Sequence, residues 1–135
     1  MLNRTDKYAL QVLAHLARYP EKRIQGIELA KATHISWTYL SKILSKLRKV
    51  GFVTATKGWG GGYTLTKKAR GQSIFDVLTA IGGNPKSEFS SCLFGWPKCN
   101  GKKPCPLHND WEKISKRYSD MLKGMTVDKM GRNLK

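Results

Sequence analysis

Three stretches of helical periodicity, two β-prone stretches around a glycine-rich turn, and an amphipathic C-terminal stretch predict a mainly α-helical chain with a small β-hairpin. In that order they spell a winged helix-turn-helix followed by a long terminal helix. The 135 residues suit one such domain with an appended element. The expected divisions are a winged domain over 1–83, a cysteine-rich loop over 84–105, a long helix over 106–125 and a flexible basic tail over 126–135.

In residues 6–19, Ala9, Val12, Leu13, Leu16 and Ala17 recur at helical spacing, with Thr5 as the expected N-cap. Tyr19-Pro20 ends this helix, because proline disfavours helical geometry at the residue before it. A short helix over 26–32 carries Ile27, Leu29 and Ala30. Ser36 then caps a third helix that runs to Val50. Its apolar face is Leu40, Ile43, Leu44, Leu47 and Val50, and its opposite face is polar and basic. Gly51 suits the left-handed position after a helix.

Phe52–Thr56 and Tyr63–Leu65 are β-prone, and Lys57-Gly58-Trp59-Gly60-Gly61-Gly62 turns between them, giving a hairpin with an exposed basic tip. Such a glycine run also suits a nucleotide phosphate, but no Gly-Lys-Ser/Thr follows and no strand-to-helix context fits. Ser73 caps a short helix over 73–81 with Ile74, Val77, Leu78 and Ile81 on one face, ended by Gly82-Gly83. Residues 84–105 read as irregular, broken by Pro85, Pro97 and Pro104. Pro106 opens the last helix, whose stripe is Trp111, Ile114, Tyr118, Met121, Leu122 and Met125. That stripe packs either on the chain's own core or on a second copy.

The net charge of +16 is an electrostatic footprint for a polyanion. Residues 1–72 hold 14 basic and 3 acidic side chains, so the stronger field lies over the helix-turn-helix. No apolar run approaches the ~20 residues of a membrane span. The first residues lack a signal-peptide core, so the cytoplasm is the expected compartment. No paired carboxylates in helical register and no Ser/His/Asp arrangement point to an enzyme or a small-molecule substrate.

Cys92, Cys99, Cys105 and His108 sit within seventeen residues, spaced Cys-x6-Cys-x5-Cys-x2-His. An odd cysteine count in a reducing compartment argues against a disulfide framework. Thiolates are soft ligands for an iron–sulfur cluster or zinc. Structural zinc sites use tighter Cys-x2-4-Cys knuckles, so the longer intervals favour a cluster held by a wrapping loop. Gly95, Pro97, Gly101 and Pro104 shape that loop, and Lys98, Lys102 and Lys103 offset an anionic cluster. Zinc, and free reduced thiols, stay open on spacing alone. His15 reads as an outward-facing residue of the first helix and His34 as part of the turn before the third.

Tyr8-Ala9-Leu10, the stretches Ile35–Leu40 and Leu47–Gly51, the wing Lys57–Leu65 and the three cysteines together resemble the Rrf-two family of winged-helix transcription regulators. They are most similar to its cluster-binding IscR, NsrR and RirA types, over residues 4–125. The resemblance implies a homodimer held by the long C-terminal helices. Each subunit would place its third helix in a major groove and its wing in the adjacent minor groove of a two-fold site in double-stranded DNA. Thr38, Ser41 and Lys42 fall where IscR-like members read bases, and Tyr39 and Lys46 fall at candidate phosphate contacts. Lys57, with Trp59 beside it in the wing, stands where the family usually has a minor-groove arginine. Lysine keeps the charge and loses the planar fork.

The resemblance also implies cluster ligation by Cys92, Cys99 and Cys105, with His108 matching the histidine that completes a 2Fe–2S site in IscR-like members. In NsrR-like members an N-terminal acidic residue ligates a 4Fe–4S cluster. Here that position is Lys7, with Asp6 one residue off. The 2Fe–2S form is therefore favoured, with 4Fe–4S the alternative. The function implied is a DNA-binding regulator that senses cluster, iron or redox status or nitric oxide. A zinc-stabilised regulator without sensing is the alternative, and a simple electron carrier fits neither the wing nor the basic first half.

Overall fold

The computed structural model describes residues 2–83 and 91–134. Helix α1 (Arg4–Arg18) turns on Pro20 toward α2 (Gly26–Thr33), which a left-handed His34 ends at φ 58°. Helix α3 (Trp37–Lys49) follows that turn, and Ser36 caps it as expected by accepting from the Tyr39 amide. The cap of α1 is Asn3 rather than Thr5. Asn3 Oδ1 accepts from the Asp6 amide at 2.8 Å and Asp6 accepts from the Asn3 amide at 3.2 Å, a reciprocal box that satisfies two orphan donors. Thr5 instead pairs its hydroxyl with that of Tyr39 at 2.7 Å, tying α1 to α3.

Gly51 takes a φ of 80° after α3, as the sequence predicts. Strands β1 (Val53–Thr56) and β2 (Gly62–Leu65) then pair antiparallel, with Val53 opposite Leu65 and Thr56 opposite Gly62. Ile24 extends the hairpin sideways by exchanging backbone hydrogen bonds with Tyr63 at 3.0 and 2.7 Å. This close approach requires glycine at 62, where φ is 144° and a Cβ would meet the Ile24 backbone at 2.8 Å. The wing is thus fastened to the α1–α2 connection rather than hanging free.

A short helix α4 (Lys67–Arg70), not expected from the periodicity, leads to α5 (Ile74–Ala80), capped by Ser73 as predicted. Pro85 and the first part of the expected irregular loop lie outside the described residues. Residues 91–107 contain no helix or strand, and α6 (His108–Gly124) follows, two residues after Pro106. Helix α6 packs on α5, with Leu78 and Leu122 buried.

The segment expected to be a frayed tail is instead α7 (Val127–Asn133), docked along α1. Thr126 caps it, a bridge between Ser73 and Thr126 ties its start to α5, and Val127 is fully buried. An added Cβ at Gly131 would run into the backbone and Cβ of Ala17. Gly131→Val should therefore lower stability by about 1–3 kcal/mol through overpacking, read as a fall in the urea midpoint. An unchanged midpoint would mean that α7 does not dock on α1.

The core is one cluster: Ala9, Val12, Leu13 and Leu16 from α1, Leu29 from α2, Leu40, Ile43, Leu44 and Leu47 from α3, with Phe52, Val53 and Leu65 from the wing and Val127 from α7. No cysteine belongs to it. No helix is long and apolar enough to cross a membrane, among the described residues.

Candidate metal centre and DNA-facing surface

Two tight turns fold the loop back on itself. Gly95, at φ 73°, donates its amide to the Cys92 carbonyl at 2.9 Å, and Cys99 donates to the Trp96 carbonyl at 3.2 Å. Between them Phe94 and Trp96 stack, with ring centroids 4.9 Å apart and 20° between planes. Asn100 Oδ1 then accepts from the Lys102 and Lys103 amides at 2.8 and 2.9 Å, an Asx-type turn that sends the chain back toward Cys105. Trp111 of α6 pins the start of the described loop by donating its indole N–H to the Ser91 carbonyl at 2.9 Å.

These turns bring the three thiols together. The sulfurs of Cys92, Cys99 and Cys105 all lie within 4.8 Å of one another. Cys99 Sγ is the hub: it accepts from the Cys105 amide at 3.4 Å and lies 3.4 Å from His108 Nδ1. The His108 amide donates to the Cys105 carbonyl at 3.1 Å, so the last thiol and the imidazole share the turn that opens α6. Cys92, Cys99 and His108 line a cleft of about 220 Å³ with Ser91, Trp111, Glu112 and Ser115.

The thiols differ in acidity. Burial pushes Cys92 up, but the backbone N–H groups of Trp96 and Phe94 and the neighbouring Cys105 and Cys99 thiols outweigh it, so its pKa falls below the ordinary thiol value. Burial raises Cys105; the Leu107 N–H opposes this, and the Cys92 and Cys99 thiols reinforce it. Three soft donors with an imidazole on the rim match the chemistry of a structural metal or an iron–sulfur cluster. The donor set of this loop fits such a group.

The residues expected to face DNA lie on two elements. Thr38, Lys42 and Lys46 are exposed on one side of α3. Ser41 is half-buried and donates its hydroxyl to the Thr38 carbonyl at 3.0 Å. Tyr39 is half-buried too, edge-on to the Tyr8 ring at 5.3 Å. Lys57 and Trp59 are both exposed on the wing, Trp59 completely so at 105%. Arg23, absent from the sequence reading, reaches the wing tip and donates to the Gly60 carbonyl at 3.3 Å. Its signal was faint, because only the Ile24–Tyr63 pairing brings residue 23 to the hairpin.

Three further positions differ from or refine the sequence reading. His15 is half-buried and stands edge-on to Tyr19 at 5.9 Å, and burial, reinforced by Arg18, lowers its pKa. Asp6 is buried and engaged in the α1 cap. Glu112 went unnoticed, although it stands one helical turn beyond His108, with its carboxylate 3.4 Å from Nε2.

A basic helix-turn-helix with a glycine-tipped wing, beside three converging thiols, is the architecture of a DNA-binding transcription regulator and not of an enzyme. The chain belongs to the Rrf2 family, described as iron-dependent transcriptional regulators, which matches residues 2–133. It is 30% identical to the HTH-type transcriptional regulator IscR of Erwinia tasmaniensis over 133 residues, 98% of this chain and 79% of that protein. The fold is similar to that of CymR, the global cysteine regulator of B. subtilis, with a TM-score of 0.80 and 20% identity over 100% of this chain and 98% of that one. It is also similar to T. potens IscR, with a TM-score of 0.72 and 23% identity over 98% and 87% of the two chains.

Proposed function

We propose that this chain is a cytoplasmic, homodimeric transcription regulator whose DNA binding depends on an iron–sulfur cluster. The observation that carries the reading is the convergence of three thiols within 4.8 Å where α6 begins. Cys92, Cys99, Cys105 and His108 form the ligand set, and 2Fe–2S is favoured over 4Fe–4S. Two features support that preference. His108 Nδ1 already faces the thiol hub, and the Asp6 carboxylate is taken up by the α1 cap. The exposed Lys98, Lys102 and Lys103 offset the charge of an anionic cluster. A bound cluster supplies a redox-active centre that oxidation, nitric oxide or iron shortage can remove.

The long helix links that centre to DNA. Leu122 faces inward, while Ile114 and Met121, seven residues apart on one face, are 53% and 58% exposed. That apolar face suits a second copy of α6 in a two-fold dimer. Because His108 opens this helix and Cys105 shares the turn leading into it, a change in the loop alters the base of the dimer element. The spacing of the two α3 helices, and hence the fit to a two-fold site, shifts with it. The test is selection from random duplexes by loaded and metal-free protein in parallel. The reading expects different preferred sites or affinities, and identical behaviour would remove sensing while leaving DNA binding.

Thr38, Ser41 and Lys42 are the base-reading residues of this proposal, Tyr39 and Lys46 the phosphate contacts, and Lys57 and Trp59 the wing contacts. Lys42→Ala should cost about 1–3 kcal/mol on the selected site and relax preference at one position. Equal weakening on all sequences would assign Lys42 to phosphate instead. A second reading has its own support: three thiols so close together also fit one tetrahedral zinc. That protein would be a metal-stabilised regulator without a sensor.

A further inference from the structure

His108 stands between two partners. Nδ1 lies 3.4 Å from Cys99 Sγ, and Nε2 lies 3.4 Å from Glu112 Oε2. Glu112 follows His108 by four residues on α6, so the helix itself stacks the carboxylate over the ring's outer edge. A neutral imidazole carries one N–H and one free lone pair, and the partner of the N–H decides which nitrogen is left to bind metal. A carboxylate on the outer nitrogen fixes that choice and orients the ring.

Both side chains line the cleft that holds Cys92 and Cys99. Glu112 reaches it from the solvent side: its side chain is 72% exposed, against 24% for His108. Substitution at 112 therefore leaves the core alone, and its effect on the centre is separable from folding.

Resting on the reading that Cys92, Cys99, Cys105 and His108 hold the metal centre, we propose that Glu112 is its positioning residue: it holds the His108 ring through Nε2–H and so makes Nδ1 the ligating atom. An ordinary exposed i,i+4 ion pair of the same geometry would leave metal affinity unchanged. The two roles therefore predict different numbers.

Cobalt(II) titrated into the reduced, metal-free full chain without oxygen, followed by thiolate-to-cobalt absorption, separates them. Glu112→Ala should weaken cobalt binding about 10–100-fold. Glu112→Gln, which keeps an oxygen acceptor at the same reach, should fall between wild type and Glu112→Ala. His108→Ala should weaken binding at least as much as Glu112→Ala, and the two changes together should cost no more than His108→Ala alone. Far-UV circular dichroism should match wild type throughout. Wild-type affinity in Glu112→Ala, with His108→Ala weakened, overturns the proposal and leaves His108 as a ligand. Fully additive losses overturn it as well, since Glu112 then acts independently of the ring. Unchanged affinity in His108→Ala removes His108 from the ligand set and the proposal with it.

Discussion

Cys99→Ala is expected to give a colourless protein that folds like wild type. Its sulfur is the hub of the centre, touching the Cys105 amide and His108 Nδ1 and lying within 4.8 Å of both other thiols. Without it two thiols and an imidazole remain, too few to hold a cluster. The fold does not depend on this atom. The hydrophobic core draws on α1 to α5, both strands and α7 and contains no cysteine, and Cys99 is itself half-exposed. Stability of the unloaded protein should therefore move by no more than about 0.5 kcal/mol. Visible absorption with iron analysis reads the first effect, and far-UV circular dichroism the second. Retained cluster would displace Cys99 from the ligand set. Lost helicity would mean that the loop and the winged domain fold as one unit.

Phe52→Ala should be the most damaging single truncation in the winged domain, costing about 3–5 kcal/mol. Phe52 is the largest fully buried side chain among the described residues and stands between α3 and the wing. Its amide donates to the Leu47 carbonyl at 2.9 Å and its carbonyl accepts from the Thr66 amide at 3.0 Å, so both backbone groups tie α3 to the hairpin. The ring fills the angle between them, with the Lys68 ammonium 5.6 Å from its centroid on the outer side. A domain has only about 5–15 kcal/mol in total, so much of the chain should unfold at modest urea. DNA affinity should fall with the folded fraction and recover on cooling toward the stability maximum. A midpoint within error of wild type would show that the wing is not packed on α3.

The helix-turn-helix and wing were legible because local signals and tertiary packing agree there. The apolar face of α3 from Leu40 to Leu47 is buried, and Gly51 takes the left-handed conformation its position implies. The convergence of the cysteines was legible as chemistry but not as geometry, since turns at Gly95 and Asn100 close the loop. The α1 cap was misplaced by two residues, although Asn3-x-x-Asp6 carried the box signature. The tail was misread because Val-Asp-Lys-Met-Gly-Arg-Asn has weak periodicity and a central glycine. Its helix depends on a distant surface: Gly131 exists to let α7 approach Ala17, and nothing near 131 in sequence encodes that contact. Arg23 and Glu112 escaped for two reasons, one a long-range pairing and the other an i,i+4 neighbour that counts only once His108 faces the thiols.

The central claim is that the three converging thiols and His108 hold an iron–sulfur cluster. The most direct test is to purify the full chain without oxygen and count iron, acid-labile sulfide and zinc per subunit alongside the visible spectrum. The account predicts brown protein with two irons and two sulfides. Colourless protein with stoichiometric zinc, unchanged by anaerobic cluster reconstitution, would contradict it and leave a zinc-stabilised DNA-binding regulator in its place.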